Sequence, residues 1–411
     1  MLFLPKPYLK VLKRRDFFLL SLINLVGQAA SAFLVLALIV SVFLKTRSNL
    51  GVSGVILSFT IPALLLMAFS GLAADIFDRR KIIIVANVFI TFVVLAIILN
   101  LNFVYASIPL SFLYFAGNSF FIPASSAATA QLVGGNELLI ANSIFIFTLA
   151  GGVLGGLFIA SLVYFFFGSQ VTLIICEALL AMAAVLSFFL PKLLPSSKVK
   201  NESINKRVEF IFEGLVYVFK SRITMFSFFV FALIQGLIFF GITLAPGFFT
   251  EIVGFSIQRT IVIIFPLIAI GVLVGFLVIR KPRVGEFVLL SRGTYAMGMA
   301  LFLYGLVIKL GLFGRLVVTL LSAPFLIFLG FGSILIMVGS RTVLQKEIPH
   351  SHQGTVFGAN IVVVSMIATI ASPIAVVSEV VFGYLGTFVG GGVALVLLAF
   401  TFNYLGSRWK K

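Results

Sequence analysis

Along this chain apolar residues do not alternate with polar ones. They continue for about 20 positions at a time and are broken by short charged or glycine-bearing turns. A helix that crosses a bilayer needs about 20 apolar residues. Inside the hydrocarbon every backbone N–H and C=O must be paired within the protein, so runs of this length predict helices. Barrel strands would be about 10 residues long and would alternate, which is not the pattern here. Twelve runs emerge, roughly 17–44, 50–72, 82–100, 107–130, 137–165, 169–190, 223–250, 257–279, 286–309, 316–341, 353–378 and 384–405. The expected fold class is an all-α membrane protein with twelve transmembrane helices in two pseudo-symmetric six-helix bundles.

One long polar interruption divides the chain into an N-terminal bundle, 1–190, a linker, 191–221, and a C-terminal bundle, 222–411. Within the linker Ile204, Val208, Ile211, Phe212, Leu215 and Phe219 recur at helical spacing, with Lys206, Arg207, Glu209, Glu213 and Lys220 set against them. That pattern predicts an amphipathic helix lying in the headgroup layer; a plain solvated linker is the alternative. Two six-span halves suggest a parallel duplication. Gln131 before Ala141-Asn142 and Gln345 before Ala359-Asn360 form a faint echo of it.

Composition sharpens the picture. The chain is 61% hydrophobic and 10% charged, against about 25% charged in soluble domains. A net charge of +17 would point to nucleic acid in a soluble protein, but here the basic residues sit in short loops on one side. With the 2–3 hairpin and both tails on that side, it holds 24 of the 29 Lys and Arg; Lys45, Arg47, Arg259, Lys309 and Arg315 make up the other 5. Such asymmetry predicts that both termini are cytoplasmic, in the cell (plasma or inner) membrane. Residues 1–16 read as a basic tail, and the first apolar run is too long for a cleavable signal. The single cysteine, Cys176, excludes an intramolecular disulfide.

The charged hairpin Gly71-Leu72-Ala73-Ala74-Asp75-Ile76-Phe77-Asp78-Arg79-Arg80-Lys81 joins the second and third runs. It resembles the 2–3 loop pattern G-x-L-A-D-R-x-G-R-R/K of the major facilitator superfamily. Gly71, Asp75, Arg79 and Arg80 match, whereas Ala73, Ile76 and Asp78 depart. The D-x-F-D-R-R form resembles that of the macrolide and siderophore exporters. The resemblance implies a secondary active transporter working by alternating access, with proton-coupled efflux of an amphipathic or hydrophobic small molecule. A lipid or lysolipid flippase of the same fold is the alternative. It also implies that Asp75 latches to the start of the eleventh span. There Ser351 would be the N-cap, and a helix N-terminus attracts an anion. Simple loop anchoring is the other reading of the hairpin.

In that family helices 1, 4, 7 and 10, helped by 2, 5, 8 and 11, line the solute cavity. The polar side chains on those runs here are the neutral amides Asn24, Gln28, Asn118, Asn142, Gln235 and Asn360. Set among Phe and Leu, they suit an amphipathic solute; interhelical hydrogen bonding is the alternative role. Glu177 is the one acid near the middle of a run. A carboxyl desolvated there can hold a proton, which makes it the candidate proton site, or else a structural partner of a neighbouring helix. Glu137, Glu251 and Glu379 fall near run ends and are expected to be wetted. Gly151, Gly152, Gly155 and Gly156 resemble the G-P-x-x-G-G antiporter motif with Gly152 in place of Pro, and equally allow close helix packing. Gly51-Val52-Ser53-Gly54 matches a protease string, but the only histidines, His350 and His352, are expected at the opposite face. Without a Walker string or a metal cluster, no enzyme activity and no cofactor are expected, and the gradient or membrane potential must drive uphill movement. The expected partners are a small-molecule substrate, protons and membrane lipids, in a monomer that binds no nucleic acid.

Overall fold

A computed structural model describes residues 6–100, 104–133, 137–194, 216, 218–219, 221–279, 285–310, 315–348 and 350–408. These residues are almost wholly helical. The elements are α1 (Lys6–Leu12), α2 (Arg15–Thr46), α3 (Asn49–Ile76), α4 (Arg79–Leu99), α5 (Val104–Val133) and α6 (Leu138–Ser187). After the linker come α7 (Arg222–Gly247), a π-helical turn (Phe248–Val253), α8 (Ile257–Ile279), α9 (Glu286–Lys309), α10 (Arg315–Glu347) and α11 (His350–Arg408).

Two of these helices are each two spans. In α6 the backbone breaks at Gly168, with φ 77° and ψ −174°, and in α11 at Gly383, with φ 66° and ψ 171°. Only glycine adopts such angles without a side-chain penalty. Each glycine therefore turns the chain back within one residue. Counting both halves of α6 and α11 gives the twelve spans expected.

Several boundaries differ from expectation. The basic tail contains α1, because Tyr8, Val11 and Leu12 have apolar partners in Phe17, Val133, Ala141 and Ile144. Arg341 and Lys346 lie inside α10 rather than in a loop, and Lys346 pairs with Glu286. Ser351 sits in the first turn of α11, not at its cap, since that helix starts at His350. The seventh span carries Pro246, which cannot donate a ladder bond; six residues of π-helix follow before Gly254 ends the segment at φ 77°. The expected amphipathic linker helix falls mostly at 195–215, outside the described residues.

The chain divides into two compact units, one of Met1–Arg47 with Gly54–Val208, the other of Ser48–Ser53 with Glu209–Lys411. The first residues of α3 thus group with the second unit. In the first unit the inner core joins Leu20 and Ile23 of α2, Ile83 and Ala86 of α4, Phe121 and Ala124 of α5, and Ala183 of α6. In the second, Tyr304 stacks on Phe325 at 4.3 Å, and Phe248 from the π-turn packs on Phe388 at 4.6 Å. Lipid offers no hydrophobic drive for helices to associate, so fitted side chains and small residues must hold them. The outward surfaces carry Phe147, Phe166, Phe167, Phe276 and Phe382, all exposed, as a hydrocarbon solvent permits.

Candidate functional site

The 78–81 hairpin is a tied structure in the first unit. Asp78 is the N-cap of α4: its Oδ1 accepts from Arg80 N–H at 3.0 Å and from Leu193 N–H at 3.1 Å. Arg79 donates from Nη1 to Gln131 Oε1 at 2.7 Å and from Nε to the Ala74 carbonyl at 3.1 Å. Arg80 donates to the Phe188 carbonyl at 2.7 Å, and Gln131 Nε2 donates to the Leu194 carbonyl at 3.1 Å. Arg80 thus satisfies a carbonyl left open where α6 ends and Arg79 one in the last turn of α3, the groups a helix C-terminus cannot pair itself. Gly71 and Asp75 are half-buried on the last turns of α3. Asp78 and Gln131 went unassigned in the sequence reading. The signal for Asp78 was present: an Asp directly before a helical run is a cap.

The first span, α2, carries a polar line. Asn24, Gln28 and Ser31 recur at helical spacing and are all buried, Asn24 to 0% exposure. Ser31 meets Tyr114 of α5 at 2.7 Å through their hydroxyls. Both polar atoms of the Asn24 side chain, and Gln28 Nε2, have no hydrogen-bond partner among the described residues. A buried polar group left unpaired costs about 1–3 kcal/mol, so these amides keep hydrogen-bonding capacity that the described residues do not use.

The four glycines split into two roles. A side chain on Gly152 would meet the Leu25 carbonyl at 2.7 Å and Gln28 Cβ at 2.8 Å. One on Gly156 would meet Ala29 Cα at 2.7 Å. These two let α6 lie against the polar line of α2. Gly151 and Gly155 face open space.

Glu177 is half-buried in the second span of α6, and its Oε2 is buried without a partner among the described residues. Its neighbour Cys176 donates to the Ala30 carbonyl at 3.2 Å, which sets this turn of α6 against α2. Glu177 and the α2 amides therefore belong to the same helix pair. Asn118 is half-buried on α5 and Asn142 is exposed on α6; no hydrogen bond joins either to Asn24 or Gln28 among the described residues.

In the second unit Asn360 is buried with Nδ2 unpartnered, and Gln235 is half-buried. A polar cluster there was not foreseen. Asn49 donates to Glu379 Oε2 at 2.7 Å and to the Tyr384 hydroxyl at 2.7 Å, and accepts from Gly247 N–H at 3.2 Å. Below it, Ser372 bonds Ser53 at 3.0 Å and Thr243 at 2.8 Å. Glu379 is thus engaged rather than merely wetted. So is Glu137, the N-cap residue of α6, which meets Lys10 at 2.8 Å and Arg14 at 2.5 Å. The bond from Lys10 leads in drawing the Glu137 carboxyl below its ordinary value, with the Arg14 charge beside it. Among the described residues no group of three His, Cys, Asp or Glu could hold a metal.

A family model described as Major Facilitator Superfamily matches residues 17–373. No curated protein sequence matches the chain. Among solved structures, the nucleoside transporter NupG is similar with a TM-score of 0.73 at 15% identity, over 95% of this chain and 98% of that one. The POT family transporter PepTSo is similar with a TM-score of 0.73 at 13% identity, over 97% and 98%. The human organic anion transporter MFSD10 is similar with a TM-score of 0.63 at 16% identity, over 97% and 100%. Identities this low speak for the fold alone.

Proposed function

This chain belongs to the major facilitator superfamily and is a membrane-embedded secondary transporter rather than an enzyme, and from that premise we propose that it exports an amphipathic or hydrophobic small molecule in exchange for protons. The observation that carries the reading is the pair of buried, unpartnered amides on α2, Asn24 and Gln28. Neutral amides can hydrogen-bond a polar end of a solute but offer no charge to a phosphate or carboxylate, and the surrounding Phe and Leu suit an apolar body. Glu177, buried at one oxygen on the helix packed against α2, is the group we assign to the proton. Gly71, Asp75, Arg79 and Arg80 serve as the gating motif at the cytoplasmic face of the cell membrane, where both termini lie in this reading.

The test is flux in proteoliposomes with an imposed pH gradient. Efflux of a fluorescent amphipathic dye should stop when a protonophore is added. Glu177→Gln should retain dye exchange down its own gradient but lose acceleration by the pH gradient. Asn24→Ala should lower exchange itself. Equal responses of Glu177→Gln and wild type to the pH gradient would overturn the proton assignment. Movement of labelled lysolipid without any proton gradient, with no dye movement, would replace the export reading by a lipid flippase.

A further inference from the structure

Between α4 and α5 lies an open groove of about 680 Å³. Phe77 and Lys81 stand at its mouth, Val85 and Phe89 continue down α4, and Gly117 and Phe120 form the α5 wall. The floor depends on Gly117: a methyl there would come within 2.7 Å of Ile90 and 2.8 Å of the Phe89 ring. The absence of a side chain lets that ring approach α5 closely. From Lys81 to Phe89 the groove descends eight residues, about 12 Å at 1.5 Å per residue. That approaches the roughly 15 Å depth of one leaflet's hydrocarbon.

Two charged side chains line this groove, Lys81 and Asp78. The Asp78 carboxylate also lines the mouth, but it is buried and held by the Arg80 and Leu193 N–H groups. Arg79 and Arg80 donate to Gln131 and to backbone carbonyls, and neither lines the groove. Lys81 is exposed, and among the described residues its ammonium makes no hydrogen bond or ion pair. A free cation at headgroup level above an apolar trough fits a two-part molecule, with an anionic head and a hydrocarbon chain. The α4 wall of the groove belongs to a helix long and apolar enough to cross a bilayer. We propose that the groove is a binding site for one anionic phospholipid of the leaflet that bears the hairpin. Its headgroup phosphate pairs with Lys81 and one acyl chain lies between Val85, Phe89 and Phe120. Because lipid tails are as apolar as the groove, the chain contributes fit while the headgroup charge contributes preference.

The experiment is lipid titration of the delipidated full chain in neutral detergent, with bound lipids counted by native mass spectrometry. Phosphatidylglycerol should saturate at one retained molecule, held about fivefold more tightly than phosphatidylcholine, the factor one cation near an anionic headgroup supplies. Lys81→Gln should bring phosphatidylglycerol down to the phosphatidylcholine level, Lys81→Arg should keep the preference, and Lys13→Gln, elsewhere on the basic rim, should leave it unchanged. Val85→Trp, which fills the trough, should remove the retained molecule while melting as wild type does. Uptake that never saturates, equal retention of the two lipids, or wild-type retention by Lys81→Gln would overturn the site. None of these readouts involves transport, so the export reading can fail without touching this one.

Discussion

Asp78 holds two backbone donors with a single carboxylate oxygen, one from its own helix and one from the segment after α6. Asp78→Ala should therefore cost more than an ordinary cap, which is worth about 0.5–2 kcal/mol, because Leu193 N–H is also left buried and unpaired. Thermal unfolding in detergent, compared with the milder Asp78→Asn, measures it. Glu137 gives a pH effect of definite sign. Its carboxyl is held below its ordinary value by Lys10 and Arg14. The stabilisation is present above the ordinary glutamate value of about 4.3 and disappears as pH falls through the lowered one. Wild type should melt above Glu137→Gln at pH 7, and the two should converge in acid below that range. What the sequence conceals at this scale is distance. Asn49 and Glu379 bond across 330 positions, and no local pattern pairs them. Asp78, by contrast, is legible as a cap, an Asp directly before a helical run, although it departs from the family's glycine.

Helix limits followed the hydropathy where one charged or glycine residue closes each run. The eighth and ninth spans begin and end where the pattern puts them, at Ile257–Ile279 and Glu286–Lys309. The breaks at Gly168 and Gly383 lie between the predicted runs that flank them. Misreadings arose where charge sits inside a helix: α10 continues through Arg341 and Lys346 because a salt bridge to Glu286 accommodates the ammonium. The π-turn after α7 was invisible, since hydropathy carries no information on hydrogen-bond register. Packing sorts the glycines in a way composition does not. Gly156→Val should drive its side chain into Ala29 of α2, costing about 1–3 kcal/mol as overpacking does, whereas Gly155→Val meets open space and should change the melting temperature little. A melting series on both variants separates them.

For the molecule as a whole, the uneven charge distribution makes a sided prediction. The segment 191–221 holds Lys192, Lys198, Lys200, Lys206, Arg207 and Lys220. In sealed vesicles of known orientation, trypsin should cut the chain there from the cytoplasmic side only, giving two fragments of similar size; cleavage from the opposite side would reverse the topology. Class and span number were legible because the bilayer imposes length and internal backbone pairing on any spanning helix. The cargo was not, because the neighbours of a few buried amides such as Asn24 and Gln28 depend on tertiary packing. The groove between α4 and α5 was equally hidden, since it depends on Gly117 admitting the Phe89 ring.

The single-residue corners at Gly168 and Gly383 have a consequence for access from outside. On the membrane side opposite the basic hairpin, two of the six connections are one glycine long and a third is the pair Arg47-Ser48. At these three corners an antibody or an inserted epitope tag would find scarcely any loop to grip or to lengthen. Reagents aimed at these three corners must be shaped for helix ends.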